Sequence, residues 1–339
     1  MKALQIAKQG EIKQIEMEKP VPQDGEVLLK LNYVGFCGSD LNTFRGRNAM
    51  AKPEVIPGHE VGATIEALGE GVPESLKPGM NVTVNPYTNC GVCPSCRNMR
   101  YNACEHNETL GVQRDGAMRE YICLPWGKII PAEGLPPKET ALVEPMSVGF
   151  HAVARAMVTE VDTVMVIGCG MVGLGAVVGA ASRGARVIAA DIDKEKLELS
   201  KLMGASYALD TTDADLHKNL REITGGNGPD VVIEAVGSPA TYRLAIDEVA
   251  FTGRVTFIGY SKSEVSFDTS LFVKKELDIR GSRNATPSDF EAVINYLKRG
   301  TCPTDRLISD VVGYENAQKA MEHWSENPGK VFRILLKAS

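Results

Sequence analysis

The second half of the chain alternates short apolar runs with amphipathic stretches. Val164 to Ile167 reads as a buried strand, and Met171 to Arg183 as a helix ended by Gly184. Residues 185–205, ARVIAADIDKEKLELSKLMGA, give a second strand and helix. SYALD (206–210), DVVIEAVG (230–237), RVTFIGY (254–260) and LDIRGS (277–282) are further strands, with helical stretches between most of them. Six strands arranged this way predict an α/β fold with a doubly wound parallel sheet of Rossmann type. At the other end, MKALQIAKQG alternates apolar and polar residues as an opening strand does. Val164 to Ala181 carries no charge over 18 residues, long enough to count as a membrane-span candidate. Its five glycines make a strand, turn and helix buried in an α/β domain the better account.

Length refines this picture. A chain of 339 residues exceeds what one hydrophobic core ordinarily serves, roughly 250–300 residues, and fits two domains. Composition is that of a soluble globular protein, with 43% hydrophobic and 24% charged residues, and a net charge of -6 opposes nucleic acid as a partner. The N-terminus lacks the continuous apolar core of a secretory signal, so a cytoplasmic address is expected.

Half of the eight cysteines fall in NCGVCPSCRNMRYNAC, residues 89–104. Cys90, Cys93, Cys96 and Cys104 form C-x2-C-x2-C-x7-C, with Gly91, Pro94 and Ser95 turning the loop. Four soft thiolates converging in a knuckle suit a closed, tetrahedral, structural zinc site. The competing readings are an iron–sulfur cluster, whose bacterial run has a shorter last spacing, and two labile disulfides, which a reducing compartment disfavours. A closed site leaves no place for substrate. Upstream and downstream lie Cys37, Asp40, His59, Glu60 and Glu144 in segments punctuated by Gly and Pro. Cys37, His59 and a glutamate would meet the rule for catalytic zinc, three protein ligands and one open position. Taken singly, a buried Cys or a loop His is more readily structural.

Gly168, Gly170 and Gly173 form G-x-G-x-x-G between the strand at 164–167 and the helix opened by Met171 and Val172. The first glycine permits the tight turn, the second the approach of pyrophosphate, the third close helix–strand packing, and the helix start offers N–H groups to the phosphates. Asp191, eighteen residues beyond Gly173 at the end of the second strand, would accept ribose hydroxyls and repel a 2′-phosphate, favouring NAD over NADP.

With C-G-S-D at 37–40, G-H-E at 58–60, the four cysteines, E-P-M-S-V at 144–148, the glycine fingerprint and G-S-R-N at 281–284, the chain resembles the zinc-containing medium-chain dehydrogenases, in the sorbitol, threonine and sugar-acid branch. The resemblance covers essentially the whole chain. It implies a GroES-like β-barrel catalytic domain over 1–148 and 283–339, interrupted by a Rossmann domain over 149–282. It implies that Cys37 and His59 bind catalytic zinc, that Glu144 is the third ligand, and that Glu60 can join or replace it. Ser39 would touch the substrate oxygen and start the proton's way out, and Asp40 would orient a ligand. Asn42 stands where relatives commonly carry a histidine, so that the proton's exit would run through water or Glu60. Ile258, Gly259, Gly281 and Ser282 match positions that hold the nicotinamide end, and Arg283 and Asn284 resemble cleft-lining residues.

Glutamate in place of a third cysteine links the chain to polyol and sugar-acid substrates, by analogy rather than by physics. The function expected is oxidation of a secondary alcohol on a polyol or a hexonate such as galactonate, gulonate or idonate, with two zinc ions and NAD, in a homo-dimer or homo-tetramer. An L-threonine or butanediol dehydrogenase, a non-catalytic zinc and NAD(H) redox sensor, and a zinc-free NADPH-dependent quinone or enone reductase are the alternatives. Arg45, Arg47, Gln113, Arg114 and Arg119 are candidates to meet a substrate carboxylate. His106, Trp126, His151, Cys123, Cys169 and Cys302 take no assigned chemistry.

Overall fold

The computed structural model describes residues 1–52 and 54–339. The chain divides into two compact units, Met1–Pro145 with Thr286–Ser339, and Met146–Ala285.

The second unit is built on six parallel strands in the order Tyr207–Asp210, Arg186–Asp191, Thr163–Ile167, Val231–Glu234, Arg254–Phe257, Asp278–Gly281. In chain order this is 3-2-1-4-5-6, the arrangement of dinucleotide-binding sheets. Every residue of Thr163–Ile167 is buried, as expected of a central strand covered on both faces. The uncharged stretch at 164–181 divides as strand, turn and helix Met171–Ala181, and no helix among the described residues is long and apolar enough to cross a membrane. That helix stops short of the expected Arg183. Gly184, at φ +86°, donates to the Ala181 carbonyl and Ala185 to that of Ala180, a glycine-terminated helix end. The strands expected over 230–237 and 254–260 are also shorter, because their last residues leave the sheet in two turns that meet where Gly259 lies against Gly237.

In the first unit a seven-stranded sheet runs Asp310–Val312, Ile334–Lys337, Glu26–Gly35, Glu60–Leu68, Asn81–Val84, Ile129–Pro131, and Tyr121–Pro125 also pairs with Glu26–Gly35. The opening segment forms an antiparallel hairpin of Lys2–Lys8 with Glu11–Glu16. Leu335 and Leu336 pair with Gly35 and Val34, which is why the end of the chain belongs to this unit. Leu29, Leu31, Val34, Ile65 and Val82 supply the inner face, and Leu336 and Met321 extend the same core. The two units are the GroES-like and Rossmann folds.

Candidate active site and metal centres

The four cysteines converge. Cys90 Sγ lies 4.0 Å from Cys96 Sγ, and Cys93 Sγ 3.9 Å from Cys104 Sγ, so no disulfide joins either pair. Tetrahedral zinc with bonds of about 2.3 Å sets sulfur–sulfur edges of about 3.8 Å, and the donor set fits the ion. The backbone N–H of Cys90 points at Cys104 Sγ and that of Cys93 at Cys90 Sγ, both at 3.3 Å. Backbone N–H groups of Glu105 and Cys96 pull the Cys93 thiol down to about 6, whereas burial pushes that of Cys96 up to about 11.

Cys37, His59 and Glu60 form a second cluster, each offering one ligand atom within 4.8 Å of the others. Local structure explains how they meet. Cys37 precedes the short helix Gly38–Phe44, and its N–H donates to Asp40 Oδ2 at 2.8 Å, closing a capping box that fixes the thiol's direction. His59 immediately precedes the strand Glu60–Leu68, and Glu60 opens it opposite Gly35 in register. A Cβ at position 35 would strike the Glu60 carboxylate, so the glycine makes the room that the glutamate occupies.

Glu60 is fully buried, and neither carboxylate oxygen has a hydrogen-bond partner among the described residues. Arg333 Nη1 stands 3.0 Å from Glu60 Oε1 as an ion pair and donates to the Phe36 carbonyl at 2.6 Å. A buried carboxylate without a donor is costly. A bound cation would relieve it. His59 Nδ1 and Ser39 Oγ are likewise buried without hydrogen-bond partners among the described residues. Burial works against a charged imidazole at His59, yet Cys37, Glu144 and Asp40 outweigh it and push its pKa well up. The pocket gathers negative charge around one point, and its thiolate, imidazole and carboxylate donors suit zinc.

Asp40 reaches Cys37 through the backbone, its Oδ2 accepting from the Cys37 N–H, while Oδ1 has no hydrogen-bond partner among the described residues; burial, opposed by His59, pushes its carboxyl up to about 6. Glu144, in the first turn of the helix Val143–Arg155, stays outside the 4.8 Å cluster and accepts a hydrogen bond from the Tyr87 hydroxyl. Sequence reasoning missed Tyr87 and Arg333. The one available signal was a lone cation in the apolar run VFRILL at 331–336.

The second unit holds a cavity of about 710 Å³ lined by Gly168, Gly170, Asp191, Ile192, Lys196 and Thr241 among others, within the range of ligand pockets. Gly168 has φ +91°, and a Cβ on Gly173 would run into the Gly168 carbonyl. A Cβ on Gly170 would meet only open space, which leaves room for a phosphate. Asp191 is held by the N–H groups of Cys169 at 2.6 Å and Asp193 at 3.0 Å, so its carboxylate is aimed before any ligand arrives. The N–H groups of Ile258 and Gly259 are engaged by the Glu234 carbonyl, at 2.8 and 3.3 Å, and the Gly259 carbonyl by Tyr242. The Gly281 carbonyl accepts from Arg155 Nε at 3.3 Å. Ser282 Oγ is buried without a hydrogen-bond partner among the described residues, an atom suited to a ligand.

Two of the arginines considered for substrate are committed elsewhere. Arg45 bonds Ser325, and Arg114 bonds the carbonyls of Glu108 and Pro86. The Gln113 side chain accepts from the Thr109 N–H. Cys169 is buried inside the fingerprint, and burial pushes its thiol up to about 12.

Comparison with known proteins agrees with this geometry. The family described as zinc-binding dehydrogenase matches residues 171–299, and the alcohol dehydrogenase GroES-like domain matches 23–135. L-galactonate-5-dehydrogenase of Escherichia coli K12 is 35% identical over 87% of this chain and 86% of its own. Sorbitol dehydrogenase of Bacillus subtilis 168 is 33% identical over 99% and 97%. Among solved structures, the alcohol dehydrogenase rspB of E. coli CFT073, complexed with NADH, superposes with a TM-score of 0.90 at 30% identity over 99% of both chains. The chain therefore belongs to the zinc-containing medium-chain dehydrogenase/reductase family, in the branch of the sorbitol and sugar-acid dehydrogenases, and it is an alcohol-oxidising oxidoreductase.

Proposed function

We propose that the protein oxidises a secondary alcohol on a polyol or a sugar acid, such as a hexonate, to the ketone, with NAD as hydride acceptor. The observation that carries this reading is the cluster of half-buried Cys37 with buried His59 and Glu60, three mixed donors rather than a closed four. In this reading residues 1–145 with 286–339 form the catalytic unit and 146–285 the cofactor unit. Zinc held by Cys37, His59 and Glu60 would supply Lewis-acid polarisation of the substrate hydroxyl, and NAD the hydride acceptor. Ser39 Oγ takes the hydroxyl proton and hands it to water, since Asn42 does not titrate. Arg333 holds the Glu60 carboxylate in place, while Asp40 fixes the start of the helix that presents Cys37 and Ser39.

At the cofactor, the helix start at Gly170, Met171 and Val172 receives the pyrophosphate, and Asp191 takes the ribose hydroxyls and excludes a 2′-phosphate. Ile258, Gly259, Gly281 and Ser282 line the nicotinamide end. The sorbitol and galactonate relatives support the substrate class, and the NADH complex of rspB supports the cofactor. The decisive assay incubates zinc-replete protein with NAD and a panel of sugar acids, polyols, threonine and simple alcohols, with and without a chelator. Chelator-sensitive NADH formation on one polyhydroxy compound is the expected result. Turnover confined to threonine or a simple alcohol would refute the substrate class. The chain is further read as a cytoplasmic homo-dimer or homo-tetramer, which sedimentation would check for assembly.

A further inference from the structure

The fold gives Glu60 and Glu144 different neighbours. Glu60 stands with Cys37 and His59, and Arg333 lies beside it. Glu144 stands outside that set, with its Oε1 hydrogen-bonded by the Tyr87 hydroxyl. Tyr87 is buried and pinned along its backbone. Its carbonyl accepts from Lys128 Nζ at 2.6 Å, and its N–H donates to Asn85 Oδ1 at 3.1 Å. The carbonyl just before it, of Pro86, takes Arg114 Nη2 at 3.1 Å and the Leu110 N–H at 3.0 Å. A hydroxyl held this firmly cannot follow a carboxylate that moves.

We propose that Tyr87 is a positioning residue that holds Glu144 beside the metal rather than on it, leaving the third protein place to Glu60 and the fourth to substrate. The inference rests on the reading of Cys37, His59 and Glu60 as a metal site. Its chemistry is that of a buried charge. Without the phenol, the Glu144 carboxylate loses a hydrogen-bond donor, and its attraction to a cation nearby gains weight. An added ligand closes the open position and binds the metal more tightly. A tyrosine that only filled space would leave the opposite trace, since damage to the site loosens metal.

The test compares the wild-type protein with Tyr87→Phe, which keeps the ring. Zinc per chain is counted by atomic emission, and transfer of the more weakly held zinc to a chromogenic chelator is timed. Both proteins are expected to hold two zinc ions. The variant should release the weaker one about tenfold more slowly, as an added ligand would make it, and turn over at least about tenfold more slowly, within the activity loss usual for partners just outside a metal's ligands. Adding Glu144→Gln to the variant should restore fast release, and Glu144→Gln alone should keep two zinc ions. Release from Tyr87→Phe that is unchanged or faster would overturn the proposal, as would loss of a zinc from Glu144→Gln. A wild-type chain carrying only the four-cysteine zinc would overturn the metal-site reading itself, a result distinct from either.

Discussion

The two metal centres of the first unit differ in how their ligands are gathered. In the loop at 90–104 all four donors come from fifteen consecutive residues, and the loop's own N–H groups orient the sulfurs. At the other centre Cys37, His59 and Glu60 come from a helix start and a strand end, and Arg333 and Glu144 come from still further along the chain. The first centre is made by local geometry, the second by the sheet. A ligand set made locally can saturate its metal and serve stability. One assembled from distant elements can hold donors apart and leave a place for substrate.

This contrast can be broken by experiment. The largest effect is expected from Cys37→Ser, which removes a donor from the open centre. Several kcal/mol of Lewis-acid stabilisation should go, about a thousandfold in kcat/KM, with the thermal midpoint nearly unchanged. Cys93→Ser should do the reverse. Unfolding of the loop, worth about 3 kcal/mol, would lower the midpoint by roughly 6–12 °C in a unit of this size, as calorimetry would show, before activity at low temperature suffers. If Cys93→Ser cut turnover as deeply as Cys37→Ser in protein that remained folded, the division of labour would be wrong. Next, Ser39→Ala should cost about a hundredfold in kcat, the low end for a lost proton-transfer group, with zinc content still at two per chain. The smallest effect belongs to the cofactor unit. Asp191→Ala should raise the KM for NAD by about tenfold and narrow the preference over NADP, leaving zinc content and midpoint unchanged.

The sequence carried whatever is local. The six strands, the glycine fingerprint and the four-cysteine loop could be read because each depends on spacing over a few residues, and a parallel sheet buries its strands as continuous apolar runs. The strand ends at 234 and 257 could not. They are set by the meeting of two turns in space, where Gly259 reaches Gly237. Pairing Glu60 with Arg333 was equally out of reach, since it depends on which strand lies beside Glu26–Gly35 at the end of the chain. Nor did any pattern say that Tyr87 would face Glu144, or that Arg45 would be spent on Ser325. Nor did the motifs show that Glu60 would lie opposite Gly35, a placement set by strand register.

The strand Ile334–Lys337, which carries Arg333 to the pocket, also sets an order of events during synthesis. The four-cysteine loop has left the ribosome about 230 residues before Arg333 does, roughly 10–50 s at translation rates of about 5–20 residues per second. In that interval all four cysteines of the loop are already in the chain. The second site gains its arginine, and its neighbouring sheet strand, only after Arg333 and Ile334–Lys337 have been made.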